Sequence, residues 1–406
     1  MDTYLARQPI FSRNKDIYAY ELLFRGGMQN FFPDIDGNSA TSRLLSNIFF
    51  NSDIDQITDG KRAFINFTYE LILRKIPLMF PSHITTVELL ETITPDEKIL
   101  ECCKEFLQLG YVLALDDFDY SPEMESLLRI AHIIKIDFMK SSREEIQGYV
   151  DRFIPEGKKL LAEKVETMED FQSALTMGFS YFQGYFFSKP QVMKETDIGS
   201  LKMNLLQIMS EAASDEFSIT KLEKLISRDV GISYKLLRYL NSPFFRRAHE
   251  ISSIRHAIVM LGENGMKRFL SVIILAELSD DKPSELLKSS IIRARFCENL
   301  AYQKGSRPDP SELFTLGLFS LIDAILDSPM DAIMKKLPLS AGIKSCLMGE
   351  TNAFSGYLDC AVHYEQARWD EVFALSRTLC IDPEKLPHIY LDALGWADAL
   401  FSSQRE

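Results

Sequence analysis

The sequence predicts an α/β barrel followed by an all-α domain, and three observations predict it. Short apolar runs alternate with amphipathic stretches up to about Phe187, a polar segment without an apolar face follows, and only helical periodicity remains beyond Leu201. A chain of 406 residues also exceeds what one ordinary core organises, so two domains are expected.

The apolar or β-branched runs are Ile17–Phe24, Ala63–Phe67, Ile84–Leu89, Val112–Leu115, Ile133–Ile136, Lys159–Ala162 and Tyr181–Phe186. They stand roughly 20–40 residues apart, room for a strand, a helix and their loops. Between them lie stretches such as Pro95–Leu109, whose Ile99, Leu100, Cys103, Phe106 and Leu107 share one helical face. About seven or eight such β–α units imply a mostly parallel sheet that closes into a barrel. The boundaries expected are a barrel over 1–190, a linker over 191–200, a helical domain over 201–390 and a C-terminal tail over 391–406. In the second half Ser218 to Ser227, Ser233 to Leu240 and Ser253 to Leu261 each begin at a residue suited to an N-cap. Gly262 follows the third, where a helix end commonly takes a left-handed residue.

Composition narrows the function. A net charge of −13 opposes non-specific binding of DNA or RNA, because phosphates would be repelled. The cysteines, six in all, show no CxxC pairing and no metal-ligand rhythm with His, as expected of free thiols in a reducing compartment. No run reaches the ~18 apolar residues of a membrane span, and the start MDTYLARQPIF lacks an apolar targeting core. A cytoplasmic protein with no membrane partner is expected.

In a β/α barrel the chemistry gathers at the C-terminal strand ends. Standing there are Glu21, Asn66, Glu88, Asp116, Asp117, Lys135, Glu163 and Gln183. Singly, each has a plain structural role as a loop cap, an ion-pair partner or a backbone ligand. As a group, five carboxylates at one barrel mouth would repel one another and raise their own pKa values unless cations neutralised them. Carboxylates with one amide oxygen are hard donors suited to Mg²⁺ or Mn²⁺. A pair of such ions can activate water against a phosphodiester, with a lysine to steady charge. Metal-assisted phosphodiester hydrolysis or binding is the favoured class on residues alone.

In order, these residues resemble the EAL-domain family. YELLFR matches its ExLxR signature at Glu21, Leu23 and Arg25. QPI at Gln8–Ile10, the Asn of INF at Asn66, ELLE at Glu88–Glu91, DDF at Asp116–Phe118, KID at Lys135–Asp137, EKVE at Glu163–Glu166 and QGYFFSKP at Gln183–Pro190 follow in the expected sequence. EAL domains are modified TIM-like (β/α) barrels that bind cyclic-di-GMP, and active ones linearise it with two Mg²⁺ or Mn²⁺ ions. The resemblance implies Glu21, Asn66, Glu88 and Asp116 as ligands of a first metal. Asp116 and Asp117 would hold a second, assisted by Lys135, Glu163 and Gln183. Catalytic roles fall to Glu163 as general base, Lys135 and Asp117. Gln8, Arg25, Glu166 and Gln183 would bind the ligand, and Glu91 would support the active-site loop. A homodimer follows by family analogy.

The departures bear on turnover. Family members usually continue DDF as the Gly-rich DDFGTGYSS, whereas this chain reads DDFDYSPEM, with Asp119 in place of a Gly. ELTE has become ELLE, and EGVE has become EKVE, which places Lys164 beside the metal site. That pattern fits weak hydrolysis or binding without turnover.

LISRDVGISYKLLRYLNSPFF followed by ISSIRHAIVMLG resembles the HDOD family, an HD-hydrolase-like helical fold without its metal site. No His in the chain is followed by Asp, and where that dipeptide is expected GLFSLID carries Ser320 and Leu321. His256, between Ile254 and Ile258, reads as a hydrogen-bonded core or surface residue. Asn241-Ser242 reads as a helix terminus or turn, and Phe244-Phe245 as core or partner surface. The resemblance implies a non-catalytic output module with a protein partner. Three functions are compatible with the sequence: a cyclic-di-GMP phosphodiesterase, a cyclic-di-GMP sensor, and an interaction scaffold that handles no nucleotide.

Overall fold

Eight strands close into a barrel in the order β1 to β8. The computed structural model describes residues 4–25, 54, 57–118, 120–188, 236, 240, 253–278, 282–304, 308–335, 337 and 339–402. By its own contacts the chain divides into two compact units. One holds Met1–Phe187 with His363–Trp369, the other Ser188–Val362 with Asp370–Glu406.

The strands are β1 (Tyr4–Ser12), β2 (Ile17–Arg25), β3 (Arg62–Phe67), β4 (Thr85–Leu89), β5 (Val112–Leu115), β6 (Ile133–Asp137), β7 (Lys159–Glu163) and β8 (Tyr181–Gln183). From β2 to β8 neighbours run parallel. β1 is antiparallel to both β2 and β8 and closes the barrel between them. The hydrophobic pattern predicts seven of these strands and misses β1. YLARQPIFS carries Arg7 and Gln8 inside the run, and Pro9, which lacks the ladder donor, argues against a strand.

Amphipathic helices follow the strands, among them Glu97–Gln108, which buries Ile99, Cys102, Cys103 and Phe106 and is capped by Asp96 through the Ile99 amide. A buried cluster of Ile10, Ala19, Phe64, Ala114, Ile133, Leu161 and Tyr181 draws one side chain from each of seven strands. Side chains two apart on a strand share a face. This apolar layer therefore fixes which residues point inward one layer higher.

The second unit is helical in every described element. Ser253 Oγ accepts from the His256 amide at 3.0 Å, capping the helix start as the sequence predicts. Within Ile254–Leu278 the backbone is non-helical at Gly262, whose φ of 65° is left-handed, so one helix ends there as the sequence predicts and a second follows directly across a kink. Gly317 lets helix Pro310–Phe319 cross Ser284–Lys304 closely: a Cβ there would lie 2.5 Å from the Arg293 carbonyl carbon. Ser320 donates to Gly317 O at 2.7 Å and Leu321 is buried, so a helix cap and a core side chain stand where an HD dipeptide would. One helix spans Leu386–Ser402, running on through the residue 390 boundary. Most of the HDOD-like stretch 225–245, with Asn241, Ser242, Phe244 and Phe245, lies outside the described residues, as do Asp119 and the 191–200 segment.

The described cysteines are free: Cys102, Cys103, Cys297, Cys346 and Cys360 are buried and Cys380 is exposed. No helix among the described residues is long and apolar enough to cross a membrane.

Candidate functional site

One layer above the apolar cluster, the inward positions are polar. Two residues beyond Ala19, Phe64, Ala114, Ile133, Leu161 and Tyr181 stand Glu21, Asn66, Asp116, Lys135, Glu163 and Gln183. Thr86 leads in the same way to Glu88. Because β1 runs the other way, Gln8 lies two residues before Ile10 and opposite Glu21. Register joins Asn66 to Glu88 across β3 and β4. The barrel thus assembles eight predicted residues at one level from eight different chain segments.

Lys135 stands at the centre with none of its side chain exposed. Its Nζ lies 2.6 Å from Asp116 Oδ1, 2.8 Å from Glu88 Oε1, 3.0 Å from Glu163 Oε1 and 3.2 Å from Glu21 Oε2. Asn66 Nδ2 donates to Glu21 Oε1 at 2.9 Å, and Gln183 Nε2 donates to Glu21 Oε2 at 2.7 Å and Gln8 Oε1 at 3.1 Å. One ammonium cannot neutralise four carboxylates. Burial, aided by the neighbouring Glu21 charge, pushes Glu88 well above the carboxylate range. Burial raises Asp116 against the pull of Lys135, and it pushes Glu163 up to about 8. Lys135 is held the other way: burial works against its charge, and the four carboxylates overcome it and raise its pKa.

Asp117 leaves this cluster. Its φ of 40° is left-handed, a region Asp tolerates better than most residues. The turn around it is pinned on both sides, Asp116 N donating to Leu89 O and Phe118 N to Lys135 O, each at 3.0 Å. Its Oδ2 accepts from Lys140 Nζ at 2.9 Å and its Oδ1 lies 3.7 Å from Lys164 Nζ. Lys164 also pairs with Asp137, a buried carboxylate whose Oδ1 accepts from the amides of Met139 and Lys140. Burial alone would raise Asp137, but the Lys164 contact and those amides hold it below the usual range. A cavity of about 500 Å³ opens here, lined in part by Glu91, Asp116, Asp117, Asp137 and Lys140.

The remaining predicted residues stand at or just beyond the strand ends in sequence. Arg25 ends β2 opposite Tyr4. Glu91 and Glu166 are exposed, Glu91 on the cavity wall. Gly184 holds the end of β8: with φ at 145°, a Cβ would lie 2.1 Å from Val165 O, and only glycine lets Val165 N reach Gln183 O at 3.0 Å. Sequence reasoning assigned no part to Asp137 or Lys140. Asp137 ends an otherwise apolar inward strand, the signal that marked its neighbours, whereas Lys140 lies in a polar turn that offers none.

Among the described residues no group of three or more His, Cys, Asp or Glu side chains stands in ligand geometry, since the carboxylates converge on Lys135. Buried Asn66 Oδ1, Glu88 Oε2, Glu163 Oε2 and Gln183 Oε1 nevertheless have no hydrogen-bond partner among the described residues. Each such atom costs about 1–3 kcal/mol. All are hard oxygen donors beside carboxylates, which suits a divalent cation.

Fold and site together define a closed β/α barrel whose strand ends carry a buried acidic cluster centred on one lysine. Comparison with known proteins identifies the family. The EAL domain matches residues 2–190 and the HDOD domain residues 198–326. Uncharacterized protein YuxH of Bacillus subtilis (strain 168) is 36% identical over 412 residues, covering 100% of both chains. Cyclic di-GMP phosphodiesterase CdgJ of Vibrio cholerae is 35% identical over 398 residues, covering 97% of this chain and 92% of that protein. Among solved structures, an EAL domain protein from Listeria monocytogenes is 22% identical, covers 46% of this chain and 87% of its own, and superposes with a TM-score of 0.37. The chain belongs to the EAL family and carries a C-terminal HDOD domain.

Proposed function

We propose that the barrel binds cyclic-di-GMP together with divalent cations and hydrolyses it slowly to linear diguanylate in the cytoplasm. The HDOD domain then serves as a non-catalytic module for a protein partner. The observation that carries this reading is the buried convergence of Glu21, Glu88, Asp116 and Glu163 on Lys135, with oxygen acceptors left over. The name of the Vibrio relative, a cyclic di-GMP phosphodiesterase similar along nearly the whole chain, supports the substrate class.

Glu21, Asn66, Glu88 and Asp116 would hold one Mg²⁺ or Mn²⁺, and Asp116 with Asp117 a second. When bound, the ions supply Lewis-acid polarisation of a phosphodiester and its attacking water. The protein's own groups do the rest. Gln183 and Asn66 fix both oxygens of Glu21. Lys135 offers a positive charge to the phosphoryl oxygens. Glu163, raised to about 8 by burial, takes the water proton as the new P–O bond forms and the ring's P–O bond breaks, and the departing ribose oxygen takes a proton from solvent water. Arg25, Gln8 and Glu166 contact the ligand at the rim, and Glu91 supports the adjoining loop.

A second reading, a sensor that binds without turnover, is favoured by one observation: the Asp117 carboxylate faces two lysine ammonium groups. Incubating the full chain with cyclic-di-GMP and Mn²⁺, and following linear product alongside equilibrium binding, separates the readings. Product that Glu21→Ala abolishes supports slow hydrolysis, and binding without product supports the sensor. Neither binding nor product contradicts both and leaves an interaction scaffold.

A further inference from the structure

We infer that Lys164 and Lys140 are built-in counter-ions for Asp117 and Asp137, and that they stand in for a second divalent cation and weaken its binding. This rests on the reading above, in which the barrel mouth takes divalent cations.

The geometry is local. Lys164 follows Glu163 directly and adopts a φ of 55°, a left-handed backbone that a β-carbon disfavours. That conformation lets its Nζ reach Asp137 Oδ2, with Asp117 Oδ1 3.7 Å away. Asp137 is fixed in turn, because its other oxygen accepts the Met139 amide at 2.8 Å and the Lys140 amide at 3.1 Å. Lys140 arrives on the opposite side of Asp117, 2.9 Å from Oδ2. Each oxygen of Asp117 therefore faces an ammonium. Asp116 is not guarded in this way: its partner is the buried Lys135, which belongs to the central cluster.

A cation recruited by Asp117 must displace at least one of these ammonium groups and lie close to the other. Both lysines are half or more exposed, so their pairing with Asp117 is modest and sensitive to salt. They leave the central donors Glu21, Asn66 and Glu88 untouched. The expected result is unequal affinity, with one cation held by the central set and a second held poorly.

The test is Mn²⁺ binding to the full chain, followed by calorimetry and by the electron paramagnetic resonance of free and coupled Mn²⁺. The wild-type chain is compared with Lys164→Gly and Lys164→Asn. Both replacements accept a left-handed backbone and remove the charge, and circular dichroism checks that they fold. The wild-type chain should take one Mn²⁺ readily and a second only at higher concentration. Both variants should tighten the second step by up to about fivefold, the range expected for a partly exposed ion pair, with the first step unmoved and a Mn²⁺–Mn²⁺ coupled signal appearing earlier. Two Mn²⁺ bound with the same affinities in all three proteins would overturn the counter-ion inference and leave the cation-binding reading standing. No Mn²⁺ uptake by any of them would overturn that reading, and the inference with it.

Discussion

Lys135 Nζ lies 2.6 Å from Asp116 Oδ1, a contact that ties β6 to the residue just past the end of β5 at the barrel mouth. The same ammonium reaches three further carboxylates. It therefore sets both the stability of the cation-free barrel and the charge available to a ligand.

Lys135→Met should destabilise the cation-free protein by about 3–5 kcal/mol, because it strands buried carboxylates without their counter-ion. Urea unfolding read by circular dichroism measures this. Added Mn²⁺ should recover part of the loss. An unfolding midpoint equal to wild type would show that the carboxylates do not depend on Lys135.

The acidic cluster also predicts a pH dependence. Glu163 titrates at about 8 in the folded chain, above its ordinary 4.5, so between those values the folded state binds more protons than the unfolded one. Stability from this group is fully present below about pH 4.5 and is lost as pH rises through about 8. Glu88 and Asp116 shift in the same direction. At fixed salt and without divalent ions, the wild-type melting temperature should fall from pH 5 to pH 8 relative to Glu163→Gln. Parallel curves for the two proteins would contradict the shift.

Those protons must leave when a cation binds, so Mn²⁺ affinity should rise with pH up to about 8. Calorimetry in buffers of different ionisation enthalpy reads the protons directly. An affinity that stays flat over this interval would place the cation elsewhere.

Gly184→Ala should disturb the site from behind. Its β-carbon would meet the Val165 carbonyl, and the φ of 145° is one that alanine rarely adopts. Gln183 would be pulled from Glu21, weakening Mn²⁺ binding, and stability should fall by about 1–3 kcal/mol. Unchanged unfolding and binding would show that β8 tolerates the shift.

Much of this site could be read from the sequence because strand parity does the work. Glu21, Asn66, Glu88, Asp116, Lys135, Glu163 and Gln183 interrupt runs that are otherwise apolar on both faces, and such interruptions need a use. β1 was hidden because Arg7, Gln8 and Pro9 interrupt its apolar run and proline lacks the ladder donor. Only its closure against β2 and β8 makes it a strand. The ion pairs of Asp117 were equally hidden. Lys140 and Lys164 are separated from it by 23 and 47 positions, and two left-handed backbones bring the charges together. In the helical half, Gly262 was legible as a helix end; that a second helix follows directly was not, because Glu263–Leu278 carries no separate N-cap signal.

The proposed function requires the acidic cluster around Lys135 to bind cyclic-di-GMP together with divalent cations. Equilibrium titration of the full chain with cyclic-di-GMP, in Mn²⁺ and then in chelator, tests it most directly. Saturable binding in Mn²⁺ that chelator and Glu21→Ala both abolish is the expected result. Binding absent in Mn²⁺, or undiminished by Glu21→Ala, would contradict it.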